Sequence, residues 1–184
     1  KDDNRIELVQ FHQNYSYEDF MMGYKPVNDG FELKNGIFYR FCQQAANQPD
    51  KDYFFIIDEI NRGNMSKIFG ELLMLIERDY RGTRTTLAYN GMPFSVPSNL
   101  YLIGMMNTAD RSLAMIDYAL RRRFSFFEME PGFDSLGFTT YMNSLNNETL
   151  YDLIARVKDL NRDITLDKSL GKGFCIGHSY FCGQ

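Results

Sequence analysis

Short, continuous apolar runs alternate along the chain with segments of helical periodicity. Four runs predict strands, at Ile6–Phe11, Tyr53–Ile57, Leu100–Met106 and Phe124–Met129, and the last three are expected to be buried on both faces. Apolar residues at spacings of three and four predict helices at about 38–47, 64–79, 112–123 and 149–161. Buried strands that alternate with helices favour an α/β fold with a parallel sheet covered by helices.

Turn and capping signals refine this pattern. Asn35-Gly36 and Asn90-Gly91 each lie between alternating runs, so each predicts the turn of a β-hairpin. Ser16 is expected to cap a short helix that Pro26 stops. Either Asn64 or Ser66 could cap the helix that follows the second strand.

Polar side chains follow two of the predicted strands. Asp58 and Glu59 come directly after the run Tyr53–Ile57, and Asn107 follows Leu100–Met106. Open α/β sheets bind their ligands at the carboxyl ends of parallel strands, so these side chains are expected at one edge of the sheet. One acid there could hold Mg²⁺ while the other orients or deprotonates an attacking water. A buried strand that ends in a polar turn would explain the acids equally simply.

Composition narrows the class of protein further. The chain has 184 residues and a net charge of −4, which argues against non-specific nucleic-acid binding by this chain alone. No apolar run is long enough to span a membrane, and Lys1–Arg5 does not resemble a signal peptide. Cys175, His178 and Cys182 lack the spacing and the fourth ligand of a zinc site, so packed, reduced side chains are the simpler interpretation.

Three segments carry a family resemblance. IDEINR at Ile57–Arg62, MNTADRS at Met106–Ser112 and YALRRRF at Tyr118–Phe124 resemble the McrB family, the AAA+ GTPases of McrBC modification-dependent (5-methylcytosine) restriction systems. The tail segments Gly171–Phe174 and Gly177–Phe181 resemble the same family. The MNTADRS stretch is specific to it, whereas an Asp-Glu pair alone is not. The resemblance implies an AAA+ P-loop NTPase core, a parallel sheet flanked by helices, followed by the start of a helical lid.

The resemblance also implies roles for individual residues. Asp58 would be the Walker B acid on the Mg²⁺ side, and Glu59 the catalytic acid. Asn107 would be the sensor amide that helps to hold the attacking water. Asp110 and Arg111 belong to the signature loop of the family and are expected to shape the subunit interface or the nucleotide site.

A helix that ends in arginines is where AAA+ subunits present a finger to the nucleotide of the next subunit. Arg123 occupies that position, and Arg122 is its nearest rival. Cations at the C-terminal end of a helix also interact favourably with the helix dipole, which alone would explain the run Arg121–Arg123.

Cofactors and partners follow from the resemblance as well. It implies Mg²⁺ and GTP as cofactors, with ATP as the alternative, and a cytoplasmic hexameric ring of identical subunits. An McrC-like nuclease subunit would stimulate the ring, which would contact methylated DNA through the assembled complex and drive its translocation and cleavage.

The chain departs from the AAA+ pattern in one respect. It contains no GxxxxGK[ST] sequence, the motif of the phosphate-binding loop. Gly171-Lys172 does not complete this motif, because Gly173 and not Ser or Thr follows it. We therefore expect a core that lacks its first strand and phosphate-binding loop, at residues 1–130, and a partial lid at 131–184. Such a piece is expected to be inactive alone, and its unpaired strand edges would invite new pairing.

Two further functions are compatible with the same residues. An ATP-dependent remodeller of the MoxR type would also carry an Asp-Glu strand and a sensor amide. A non-hydrolysing AAA+ scaffold would not need Asp58, Glu59, Asn107 and the closing arginines together. The residues therefore favour a nucleoside triphosphatase, and the resemblance implies that it prefers GTP over ATP.

Overall fold

The structure, a computed structural model, describes residues 4–107 and 118–183. The chain forms two compact units, Lys1–Ser125 and Phe126–Gln184. The strands are β1 (Ile6–Gln10), β2 (Met22–Val27), β3 (Gly30–Asn35), β4 (Tyr53–Asp58), β5 (Thr85–Thr86), β6 (Pro93–Phe94) and β7 (Leu100–Gly104). The α-helical segments are α1 (Tyr17–Phe20), α2 (Ile37–Ala46), α3 (Met65–Phe69), α4 (Tyr118–Arg123), α5 (Leu136–Leu145) and α6 (Glu148–Leu166).

The first unit is built around a three-stranded parallel sheet. Its order is β1-β4-β7, with Val9 opposite Ile57 and Ile57 opposite Gly104. The α/β prediction and the strands expected near 6–11, 53–57 and 100–106 are confirmed. Because β4 lies between two parallel neighbours, the carboxyl ends of all three strands meet at one edge of the sheet.

In the part of the chain that the structure describes, one face of this sheet is fully covered and the other is not. Tyr53, Phe55 and Ile57 alternate along β4 and are almost completely buried, whereas the residues between them are half-buried. The core on the covered face includes Phe20, Phe38, Phe41 and Phe69, whose rings contact one another or Phe55 in stacked, tilted or edge-to-face geometry. The prediction that β4 and β7 are buried on both faces is therefore wrong, because on the opposite face Tyr101 and Ile103 are exposed.

The expected strand at Phe124–Met129 is also wrong. This segment has no strand conformation, and Phe127 and Met129 are largely exposed. A strand requires a neighbour for its backbone N–H and C=O groups, and among the described residues no strand pairs with this segment.

The first hairpin turns seven residues earlier in the chain than the sequence signal predicts. Ser16 caps α1 as expected, but the helix ends at Phe20 and Pro26 lies within β2. The turn joins Val27 to Gly30. Gly36 instead precedes α2, and a Cβ there would lie 2.4 Å from the Phe20 carbonyl carbon, so close backbone approach explains this glycine.

The helix predicted over 64–79 is interrupted. Asn64 is its N-cap, and its side chain accepts a hydrogen bond from the Lys67 N–H. The α-helical part ends at Phe69, and Gly70 has a φ of 51°, which begins the 3₁₀ turn Gly70–Met74. The Asn90-Gly91 hairpin is confirmed, although its strands β5 and β6 contain only two residues each.

The second unit is helical, as the periodicity predicts. α5 and α6 pack through a small apolar cluster that includes Phe133, Phe138, Met142, Ile154 and Val157. Ser135 and Asn147 cap the two helices through their side chains. In the described residues, no helix combines the length and the apolar character needed to cross a bilayer.

Candidate nucleotide-hydrolysis site

Asp58 ends β4 at the carboxyl edge of the sheet, where the sequence predicts it. Its Oδ1 accepts a hydrogen bond from the Glu59 backbone N–H at 3.0 Å, and its Oδ2 accepts one from Gln10 Nε2 at 3.3 Å. Gln10 is the residue opposite Asp58 in the β1–β4 register. The carboxylate is therefore oriented from two sides. Gln10 is not among the site residues predicted from the sequence, although pairing the ends of two predicted parallel strands would identify it.

Glu59 has an unusual backbone conformation. Its φ of 51° and ψ of 45° lie in the left-handed region, which is uncommon for residues other than glycine. Such conformations cost about 1–3 kcal/mol and cluster at functional sites. The side chain is 19% exposed, and its Oε2 lies 3.1 Å from Arg62 Nε. That oxygen is buried and accepts no hydrogen bond from the described part of the chain.

The turn after Glu59 is fixed to the sheet and to the core. The Ile60 N–H donates to the Met105 carbonyl at 3.0 Å, and the Met105 N–H donates to the Ile57 carbonyl at 2.8 Å. A Cβ at Gly63 would lie 2.6 Å from Ile68 Cδ1, so only glycine fits there without displacement. The backbone of Glu59 is thus held from both sides, which explains how a strained residue persists.

Asn107 lies at the same edge of the sheet, just beyond the end of β7. Because β7 is the parallel neighbour of β4, the structure brings Asn107 and the two acids to one end of the same sheet. Asp110 and Arg111 lie outside the described residues. Among the predicted site residues, the structure therefore describes the positions of Asp58, Glu59, Asn107 and the arginines of α4.

The two candidate finger residues differ in their surroundings. Arg123 Nε donates to the Leu73 carbonyl at 2.8 Å and lies 3.0 Å from Glu77 Oε1, and its side chain is only 14% exposed. Arg122 is exposed. Arg123 therefore ties α4 to the 70–77 segment of its own chain, whereas Arg122 points to solvent. Glu77 is not predicted from the sequence, since nothing in the local pattern distinguishes it from a surface acid.

The oxygen donors at this edge suit Mg²⁺. Magnesium usually binds one or two carboxylates and completes its shell with waters and phosphate oxygens. Asp58 offers a carboxylate whose orientation is already fixed, whereas the Glu59 Oε2 lies against Arg62 Nε at 3.1 Å.

His178 in the second unit is a packed side chain. Its Nδ1 accepts a hydrogen bond from the Gly132 N–H at 2.9 Å, and its ring meets Phe133 and Phe138 edge to face. The thiols of Cys175 and Cys182 contact different carbonyls, those of Asn161 and His178. These contacts give the three residues structural roles.

Comparison with known proteins gives consistent results. Residues 2–124 match the model of the AAA domain (dynein-related subfamily), and residues 152–184 match the alpha-helical lid domain of McrB. The chain is 55% identical to the Type IV methyl-directed restriction enzyme EcoKMcrB subunit of Escherichia coli (strain K12) over 97% of this chain and 40% of that protein. It is 29% identical to the Type II restriction enzyme BsuMI component YdiS of Bacillus subtilis (strain 168), over 62% of this chain and 37% of that protein. The chain thus spans about two fifths of the length of either relative.

Proposed function

Because the chain belongs to the AAA domain family, in its dynein-related subfamily, we propose that it is the catalytic part of a nucleoside triphosphatase that prefers GTP. The observation that carries this proposal is the strained Glu59 beside Asp58 at the carboxyl end of the central strand. Strain of this kind is retained where the surrounding structure over-determines it, and here it sets the direction in which the Glu59 side chain leaves the backbone.

The residues of this chain would divide the chemistry between them. Asp58 would hold Mg²⁺, which when bound neutralises charge on the phosphate groups. Glu59 would accept the proton of the attacking water or orient that water, and Asn107 would hold the water from the neighbouring strand. Gln10 and the Glu59 N–H keep the Asp58 carboxylate from rotating away.

We extend the proposal to the assembled protein. A ring of identical subunits, expected to be hexameric, would place Arg122 of one subunit near the nucleotide of the next. The exposure of Arg122 and the internal ion pair of Arg123 favour Arg122 as the finger. Since the chain has no GxxxxGK[ST] sequence, residues of the full-length protein outside this chain would supply the phosphate-binding loop, and the chain alone would not hydrolyse nucleotide.

The biological role that we propose follows the E. coli relative. That protein is a subunit of a methyl-directed restriction enzyme, and its similarity covers nearly all of this chain. The full-length protein would hydrolyse GTP in the cytoplasm, be stimulated by an McrC-like nuclease subunit, and drive translocation and cleavage of methylated DNA. Asp110 and Arg111 would contribute to the subunit interface or the nucleotide site.

The test is steady-state turnover of GTP and ATP by the full-length protein, with and without the partner nuclease, beside Glu59→Gln. We expect GTP turnover that the substitution reduces by about 10²–10⁴-fold, the usual contribution of a positioned acid or base. Turnover of ATP alone would contradict the GTP preference. Turnover of either nucleotide that survives Glu59→Gln would contradict the role of this site.

A further inference from the structure

The turn that follows the two acids contains an ion pair that has no role in the proposed function. Arg62 and Glu59 are three residues apart, at opposite ends of the 3₁₀ turn Ile60–Arg62. Arg62 Nε lies 3.1 Å from Glu59 Oε2, and the side chains are 43% and 19% exposed, respectively. The guanidinium is therefore partly in solvent while the carboxylate that it contacts is largely enclosed.

An enclosed carboxylate depends strongly on its charge partner. Removing one partner of a buried pair leaves an uncompensated charge, which is far more costly than breaking an exposed pair. Here the dependence is greater because Oε2 accepts no hydrogen bond from the described part of the chain. The Arg62 guanidinium is thus the cation against which this carboxylate oxygen rests.

The backbone cannot compensate if this contact is lost. Ile60 is 4% exposed and bonded to the Met105 carbonyl, and a Cβ on Gly104 would lie 2.7 Å from Ile60 Cδ1. With the turn fixed in this way, only the side-chain torsions of Glu59 remain free to move. A charge contact across one turn would hold those torsions.

We propose that Arg62 is a positioning residue, whose guanidinium holds the Glu59 carboxylate in the orientation needed to activate the attacking water. This inference rests on the proposed function. Arg62 acts through Glu59 and does not touch the nucleotide, so its loss lowers the rate of the chemical step and leaves nucleotide affinity unchanged.

The experiment compares Arg62→Ala, Arg62→Lys and Arg162→Ala in the full-length protein. Arg162 forms an ion pair of the same sequence spacing with Asp159 at 2.7 Å, with both side chains mostly exposed, so it is a matched control. We expect Arg62→Ala to lower kcat by about tenfold or more, with the Kd for a fluorescent GTP analogue unchanged. Arg62→Lys recovers part of the loss, and Arg162→Ala retains the full rate.

The two proposals fail in different ways. If Glu59→Gln leaves turnover intact, the proposed function is wrong. If Glu59→Gln abolishes turnover but Arg62→Ala keeps the kcat of the unaltered protein, only the positioning role is wrong.

An increase in the kcat of Arg62→Ala would also overturn the positioning role, because Arg62 would then restrain the carboxylate in an inactive orientation. A parallel loss of nucleotide affinity would overturn it by making Arg62 a nucleotide contact. Thermal unfolding of each variant separates these results from loss of the fold.

Discussion

The two faces of the parallel sheet differ sharply although the same three strands form both. On one face Phe55 and Ile57 are completely buried beneath α2 and the segments near α3. On the other face Ile6, Leu8 and Ile103 are 66%, 61% and 43% exposed. All are apolar residues of the type found in strands. The difference shows that apolar residues on both faces of a strand are not enough to predict burial on both faces. Whether each face is covered depends on the elements that pack around the sheet.

The largest effect is expected on the covered face. Phe55 is fully buried and meets Phe20, Phe38 and Phe41. Replacing it with Ala removes these contacts and leaves a cavity, so Phe55→Ala should lower the free energy of unfolding by about 3–5 kcal/mol. Ile103→Ala on the exposed face of this chain is the control, with an expected change within about 0.5 kcal/mol.

Urea unfolding of the 184-residue chain measures the free energy of unfolding of both variants. Equal losses from Phe55→Ala and Ile103→Ala would contradict the distinction between the faces. A large loss from Ile103→Ala alone would show that something covers the exposed face in solution.

An intermediate effect is expected at Asn99, beside the first residue of β7. Its Nδ2 lies 3.0, 3.0 and 2.7 Å from the carbonyl oxygens of Ala45, Gln48 and Lys51. Asn99→Ala removes this donor from carbonyls at and just beyond the end of α2, at a cost of about 0.5–1.5 kcal/mol for each hydrogen bond lost. Asn143→Ala, in the second unit, is a comparison in which a single exposed hydrogen bond with Tyr151 is lost. Differential scanning calorimetry should give a clearly lower Tm for Asn99→Ala only.

The smallest effect is expected at an exposed ion pair. The pKa of Asp19 lies below its ordinary value of 3.8, mainly because Lys25 donates a hydrogen bond to its carboxylate. Because the folded pKa is the lower one, the pair stabilises the fold above the ordinary pKa and loses this effect as the pH falls through the folded pKa. Exposed pairs contribute about 0.2–1 kcal/mol. The stability difference between the unaltered chain and Asp19→Asn should therefore shrink between neutral pH and pH 2, and a difference that grows on acidification would contradict this.

Much of the fold follows from local sequence patterns. The runs that became β1 and β4, the period of α2 and the Ser16 cap each depend on neighbouring residues only, so they could be predicted. The turn expected at Asn35-Gly36 failed because Gly36 is needed for its close approach to the backbone of Phe20, a contact between separate elements. The helix over 64–79 failed at Gly70, whose positive φ interrupts an otherwise helical pattern.

The candidate site divides in the same way. An Asp-Glu pair after an apolar run could be assigned to the sheet edge from sequence, because parallel strands share their carboxyl end. The contacts of Gln10 with Asp58 and of Glu77 with Arg123 depend on register and on packing between distant segments. The left-handed conformation of Glu59 has no sequence signal, since Glu is rarely found there.

The most direct test of the central claim compares Mg²⁺-dependent GTP affinity and turnover in Asp58→Asn and Glu59→Gln variants of the full-length protein. The two acids are adjacent in sequence, but Asp58 is assigned to the metal ion and Glu59 to the water. We predict that Asp58→Asn weakens GTP binding only when Mg²⁺ is present, whereas Glu59→Gln keeps the affinity and loses turnover. Equal effects of the two substitutions on affinity, or unchanged turnover in both, would contradict the assignment of this sheet edge as the hydrolysis site.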